Sequence, residues 1–297
     1  MNSERQGLVY GVVAYTFWAV FPLYFLLVAA ASSIEIIWHR IAWSLVFSLV
    51  GVLLVRQWRQ LLATAKNWRY SGRLAIAGVL VATNWFLYVY SVQNGMLVDA
   101  SMGYFVNPLV TALLAIIFLG ERPRALQLTA LAFGSSAVVV ISIWYGQIPW
   151  MSLSLAFSFG FYGLIKKQVS QEVPPLIGLT LETAPITPIA VGFIIFLQVT
   201  GTGTLTSVSP LHTVALCCAG IVTAGPLLLY AASAKRIPLT TLGLLQYICP
   251  IGQFLLAITV FGEAMPPARW IGFVLVWIAL IILTADLLVH HSESPKS

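Results

Sequence analysis

A chain of 297 residues that is 60% hydrophobic and only 8% charged, with a mean hydropathy of +0.94, has too little polar surface for a water-soluble fold, where about a quarter of residues carry charge. Its net charge of +6 is not a nucleic-acid footprint, because the lysines and arginines are spread through short connections rather than gathered on one face. Apolar runs of 18 residues or more recur along the chain, and they define an all-α polytopic membrane protein.

In chain order the runs predict ten transmembrane helices, near 7–30, 34–55, 72–93, 98–119, 124–145, 147–165, 174–199, 210–234, 239–261 and 267–290. Each is close to the roughly 20 residues that cross hydrocarbon. Ala29-Ala30-Ala31 after the first run mimics a signal-peptidase site, but that run is too long for a signal peptide and carries Trp18 and Pro22, so it reads as a retained span. Residues 291–297 are polar and read as a disordered cytoplasmic tail. Cys217, Cys218 and Cys249 fall inside apolar runs without metal-ligand spacing and read as small core residues. Neither a metal nor a cofactor is expected.

With the N-terminus inside, the cytoplasmic loops collect Arg5, Arg56, Arg59, Lys66, Arg69, Arg73, Arg122, Arg124, Lys166, Lys167, Lys235, Arg236 and Lys296, thirteen of the 15 basic residues. The outer side keeps Arg269, and Arg40 lies within a span. This bias predicts that both termini are cytoplasmic.

A repeat underlies the order. Residues 108–121 read PLVTALLAIIFLGE and residues 250–263 read PIGQFLLAITVFGE, 142 positions apart at both the proline and the glutamate. Sliding by that offset pairs 84–121 with 226–263 without a gap, with identities that include Tyr88/Tyr230 and Ser91/Ser233. The chain therefore divides into five-helix units at 1–146 and 147–290. Five is odd, so the second unit enters the membrane from the opposite side, with Glu121 toward the cytoplasm and Glu263 away from it. Inverted repeats are typical of transporters whose central site is exposed alternately to each face.

Polar groups within spans are costly and therefore informative. Asn84, Tyr88 and Ser91 share one face of span three, and Tyr104, Asn107 and Thr111 share one face of span four. Gln246, Cys249 and Gln253 on span nine, with Tyr230 and Ser233 on span eight, are their repeat mates. These faces are candidates for one substrate cavity; the bland alternative is hydrogen-bonded glue between helices. Tyr15 and Trp18, beside Pro22, with Trp85 and Tyr162, are candidate stacking surfaces. Pro108 and Pro250 remove backbone donors in mid-span and predict kinks. His39, Arg40 and Glu182 are candidates for charge or proton handling, with Arg40 and Glu182 as repeat mates. At 1.5 Å per residue Arg40 lies roughly 9 Å below the outer face and Glu182 roughly 12 Å above the inner one. Arg40 could hold an anionic group and Glu182 or His39 a proton; alternatively the three orient helices as a charge network. Asp99, Glu121, Glu263 and Asp286 read as interfacial or capping. Gly7-xxx-Gly11 could serve a dimer or an internal contact equally, so the oligomeric state is not legible. No HExxH, GxSxG or P-loop occurs.

EIIWHRIAWS (35–44), TNWFLYVYSVQNG (83–95), DASMGYFVNPLV (99–110), FLGERP (118–123), LAFSFGFYGLIKK (155–167) and TLGLLQYICP (241–250) resemble, in order and spacing, the EamA branch of the drug/metabolite transporter superfamily. The resemblance implies ten helices in two inverted repeats, a bacterial inner-membrane location and export of small molecules. The resulting expectation is a secondary transporter exporting small amphipathic solutes, drugs such as chloramphenicol or amino-acid-like metabolites, by alternating access. Its expected partners are a small-molecule substrate, the lipid bilayer and protons as a candidate coupling ion, with no nucleic acid. A passive facilitator or channel is the alternative, and an intramembrane enzyme lacks paired catalytic residues.

Overall fold

The computed structural model describes residues 3–120, 123–169, 172–234, 236–237 and 245–293. Among them every regular element is a helix: α1 (Ser3–Leu27), α2 (Ser33–Leu54), α3 (Trp58–Lys66), α4 (Trp68–Gln93), α5 (Leu97–Leu119), α6 (Ala125–Tyr145), α7 (Trp150–Val169), α8 (Pro175–Thr183), α9 (Thr187–Val199), α10 (Pro210–Ala234), α11 (Ile248–Thr259) and α12 (Pro267–Glu293). Seven of these, α1, α2, α4, α5, α6, α10 and α12, are long and apolar enough to cross a membrane, and α8 with α9 makes an eighth if the bent pair is one span. The chain is a multi-pass membrane protein. Leu8, Val9, Val12, Val13, Phe17 and Val20 stay exposed along α1, a surface that hydrocarbon accepts and water would not.

Local chemistry sets the ends. Ser32 caps α2 by accepting from the Glu35 amide, and Asn67 caps α4 by accepting from the Arg69 amide. Gly120 ends α5 at φ 66°, and its repeat mate Gly262 follows α11 at φ 64°. Both need the left-handed conformation that glycine adopts without a Cβ penalty. The Gly of each Gly-Glu pair is thus a helix stop. Glu121 lies outside the described residues.

Three elements depart from the sequence reading. The stretch read as one span at 174–199 is broken, with α8 and α9 meeting at 53°, because Pro185 and Pro188 both lack an amide donor where the helix would continue. A short helix, α3, fills the basic connection after α2, with Leu61 buried and Trp58 exposed, as an interfacial helix would lie. At the far end α12 runs to Glu293, into the stretch expected as tail.

The helices pack reciprocally. Helices 142 positions apart in sequence, α1 and α7, α2 and α8–α9, α4 and α10, α5 and α11, α6 and α12, exchange partners: α1 packs on α10 and α4 on α7, α1 on α11 and α5 on α7, α2 on α10 and α4 on α8. Three mated pairs, α6 with α12, α5 with α11 and α2 with α8, pack on each other. Paired glycines permit the closest approaches. A Cβ on Gly78 would stand 2.1 Å from the Glu182 carbonyl oxygen, and one on its mate Gly220 would stand 2.2 Å from the Trp43 carbonyl oxygen. Gly7 and Gly11 face Arg236, Ile237 and Ser233, so this small-residue stripe is used inside the chain, against α10.

Gly78→Ala and Gly220→Ala should each destabilise the protein by about 1–3 kcal/mol, the range for overpacking against an unyielding neighbour. Gly225→Ala, where nothing stands within 4 Å, should leave thermal stability in detergent nearly unchanged. Equal melting temperatures for all three would refute this close-packing reading.

Candidate functional site

Arg40 stands about two turns into α2 and is 3% exposed. Its guanidinium lies between two rings, 4.9 Å from the centroid of Phe21 on α1 and 4.6 Å from that of Trp85 on α4. Nε donates to Thr223 Oγ1 of α10 at 3.3 Å. Thr223 spends its own proton on the Ala219 carbonyl, which leaves its oxygen free to accept. Desolvated cation–π contacts are worth about 2 kcal/mol or more, so the clamp offsets part of the cost of burying this charge.

An aromatic tract continues from that clamp. Tyr88 stacks on Phe21 at 6.2 Å and meets Tyr104 edge-on at 5.7 Å. Tyr104 donates to Asn84 Oδ1 at 3.2 Å. A second cluster, with Cys249 packed against it, is built around Tyr15. Tyr15 then forms a cluster with Trp18 and Tyr230, with ring centroids 5.4–6.1 Å apart. Beyond it Tyr162 donates to Glu182 Oε2 at 3.4 Å, and Lys166 pairs with Glu182 Oε1.

The structure thus gathers most of the residues singled out from sequence along one tract, but it gives several a different partner. Asn84 donates to the Leu155 carbonyl at 3.0 Å and to Ser158 Oγ at 3.0 Å, Asn107 to the Ala156 carbonyl at 3.1 Å, and Gln253 to the Trp18 carbonyl at 3.1 Å. These amides tie α4 and α5 to α7, and α11 to α1. Arg40 and Glu182 are not an ion pair: Glu182 belongs to Lys166, which sequence reading took only as a loop charge. The repeat offset held a cue, since Tyr24 and Lys166 are mates just as Arg40 and Glu182 are, although the Tyr24 hydroxyl itself donates to the Ala215 carbonyl at 2.9 Å. Sequence reading also passed over Thr223.

His39 is 1% exposed, with His212 nearby, and neither ring nitrogen has a hydrogen-bond partner. Gln246 stands half-buried in the turn before α11, apart from the clamp. Helix α5 is continuous through Pro108. Pro250 falls at the third position of α11, where a missing amide costs little.

The EamA-like transporter family matches this chain twice, over residues 5–143 and 148–285. The chain belongs to that family. Among its relatives, Protein RarD of Streptomyces exfoliatus is 44% identical over 97% of this chain and 90% of that protein. The Uncharacterized transporter YojE of Bacillus subtilis is 40% identical over 95% and 94%. Protein RarD of Escherichia coli K12 is 36% identical over 99% of both. A crystal structure of a protein 19% identical superposes with a TM-score of 0.59 over 98% of this chain and all of the other, a likeness of fold.

In this EamA-family chain, cross-helix bonds tie both ends of the bundle. At one end Glu263, just past α11, accepts the first-turn amides of α5, from Leu97 at 2.6 Å and Val98 at 2.8 Å, which have no partner within their own helix. Beside it Arg269 pairs with Asp99 at 3.1 Å, Ser152 donates to the Asp99 carbonyl at 2.7 Å, and the Thr204 amide donates to Glu35 at 2.7 Å. At the other end Tyr70 bonds Glu172 and Arg124 pairs with Asp286 at 2.8 Å.

Burial pushes the Glu263 carboxyl up from its ordinary value, and the Val98 and Leu97 amides and Arg269 only partly oppose it. A carboxyl with a raised folded pKa holds its proton where the unfolded chain releases it. Its contribution to stability is therefore greatest in acid and declines as pH rises from about 4.3, the unperturbed glutamate value, through the raised folded value. Glu263→Gln should remove that decline while adding a constant loss from the missing acceptor. Melting curves of both proteins across this window check it, and parallel profiles would refute it.

Proposed function

We propose that this chain is a secondary transporter of the bacterial inner membrane that exports small amphipathic solutes by alternating access. On this reading it crosses the membrane ten times as two inverted five-helix repeats, at 1–146 and 147–290, with both termini cytoplasmic. The reciprocal exchange of partners between mated helices supports a two-fold relation between the halves. So does Glu263: it follows α11 yet bonds the start of α5, as mated helices running in opposite directions would allow. The distribution of basic residues supports the orientation.

The observation that carries the reading is the aromatic tract. Phe21, Trp85, Tyr88, Tyr104, Tyr15, Trp18, Tyr230 and Tyr162 come from α1, α4, α5, α7 and α10, so the tract lies where the two halves meet. Ties at both ends cross from one half to the other, and releasing one set while keeping the other would open the tract to one side. Relatives point the same way. They include RarD proteins and transporters, and a protein of Pseudomonas aeruginosa 25% identical over 96% of this chain is named a chloramphenicol-sensitive protein RarD. His39, with two unpartnered ring nitrogens, and Glu182, held by Lys166 and Tyr162, are the groups able to carry a coupling proton.

Proteoliposomes preloaded with unlabelled chloramphenicol or phenylalanine should take up the labelled compound faster than empty ones, since a carrier returns loaded more readily than empty. A passive facilitator shows no such acceleration. Replacing the proton carrier, in Glu182→Gln or His39→Ala, should abolish accumulation driven by a pH gradient while leaving this exchange. Full gradient-driven accumulation in both variants would refute proton coupling through these groups.

A further inference from the structure

Arg40 is a buried cation without a carboxylate partner among the described residues. Three buried or half-buried carboxylates have cation partners: Glu182 with Lys166, Asp99 with Arg269, Asp286 with Arg124. Among the described residues no carboxylate pairs with Arg40, and its buried Nη1 has no hydrogen-bond partner. The hydroxyl of Tyr88, a residue stacked on the same Phe21, is likewise buried and unpartnered. Guanidinium keeps its proton, and an unpaired charge in a low-dielectric interior costs several kcal/mol. Both residues contact the Phe21 ring, and buried donors without partners in such a place favour an anion.

A second feature adjoins it. A cavity of about 350 Å³ opens on the outer surface of the bundle at α1 and α10, lined among others by Phe17, Val20, Phe21, Tyr24, Leu27 and Val222. Phe17, Val20 and Leu27 are exposed toward hydrocarbon. Phe21 is shared between the two features, since its ring also covers the guanidinium, and Val222 precedes Thr223, the partner of Nε. The groove and the cation are therefore separated by one side chain, and rotation of Phe21 would join them.

We infer that Arg40 and Tyr88 bind the carboxylate of an amphipathic organic acid whose apolar body lies in the groove between α1 and α10, reached sideways from the bilayer. Deepening the transporter reading, on which it rests, this assignment sets the substrate class as monoanionic. One guanidinium, with no second cation beside it among the described residues, balances one charge, so a dianionic phosphate would bury an excess negative charge. The lining supplies apolar contact for a ring or short chain, and the proton of its one hydroxyl, on Tyr24, is already given to the Ala215 carbonyl.

Binding tests this without requiring transport. Wild-type protein in nanodiscs of pure phosphatidylcholine should bind 4-phenylbutyrate at neutral pH at least about tenfold more tightly than its neutral isostere 4-phenylbutyramide, with tryptophan fluorescence as the readout, because Trp85 stacks on Arg40. Arg40→Gln should abolish the preference. Val20→Trp, on the exposed rim, should weaken 4-phenylbutyrate binding at least about tenfold while Arg40 stays in place. Equal binding of acid and amide by the wild type would overturn the anion site, as would a preference that survives in Arg40→Gln. Unchanged binding in Val20→Trp would overturn the lateral groove. A fluorescence change that depends on Arg40 and appears only when phosphatidylglycerol replaces phosphatidylcholine would make the site a lipid site and overturn the assignment to a solute. If Arg40→Gln does not fold, the wild-type comparison and Val20→Trp still decide. Exchange of a neutral solute without any acid preference would leave the transporter reading standing and sink only this one.

Discussion

Hydrocarbon offers no hydrogen bonds, so a polar side chain within a span must find its partner inside the protein. In this chain most serine and threonine hydroxyls meet that constraint within their own helices, and the amides meet it across the boundary between two halves. Asn84 and Asn107 reach the carbonyls of Leu155 and Ala156, Gln253 reaches that of Trp18, and Ser233 donates to that of Gly7 at 2.7 Å. Each such bond is worth only about 0.6 kcal/mol on average, but each also fixes register. The glycine contacts of Gly78 and Gly220 add the close backbone approach that van der Waals packing in a membrane needs. With these amides committed to backbone carbonyls, the tract between the halves is left mainly aromatic, with Arg40 as its one buried cation lacking a carboxylate among the described residues.

Much of the architecture was legible because its causes are local. Apolar length defines the spans, Gly120 and Gly262 mark helix ends because only glycine takes φ near +65° freely, and the offset of 142 marks which helices exchange partners. Other features depend on where side chains go, which spacing does not encode. The period places Asn84, Tyr88 and Ser91 on one face but cannot say that Asn84 turns to a carbonyl of α7. Lys166 sits where a loop charge is expected, yet its flexible stem reaches Glu182. The break between α8 and α9 was written in Pro185 and Pro188, and hydropathy averaged over a window conceals it. The α3 helix escapes the same average because it is only nine residues long and buries little beyond Leu61 and Thr64.

The ties at the two ends differ in kind. At the Glu263 end a carboxylate holds the amide terminus of α5, and Asp99 and Arg269 add an ion pair across the same boundary. At the other end the bonds run between long side chains, Tyr70 with Glu172 and Arg124 with Asp286. The first kind fixes a backbone terminus in place, whereas the second joins side chains that can turn about several bonds.

Rocking of the halves requires the two ends to move in opposite senses. Spin labels at Asn94 and Ser207 report one end, and labels at Gln60 and Gln168 the other; all four positions are exposed. Weakening the clasp with Glu263→Ala and Asp99→Asn should lengthen the first distance, with the second shortening or holding still. If both distances lengthen together, the halves merely loosen, and alternating access about the aromatic tract is contradicted.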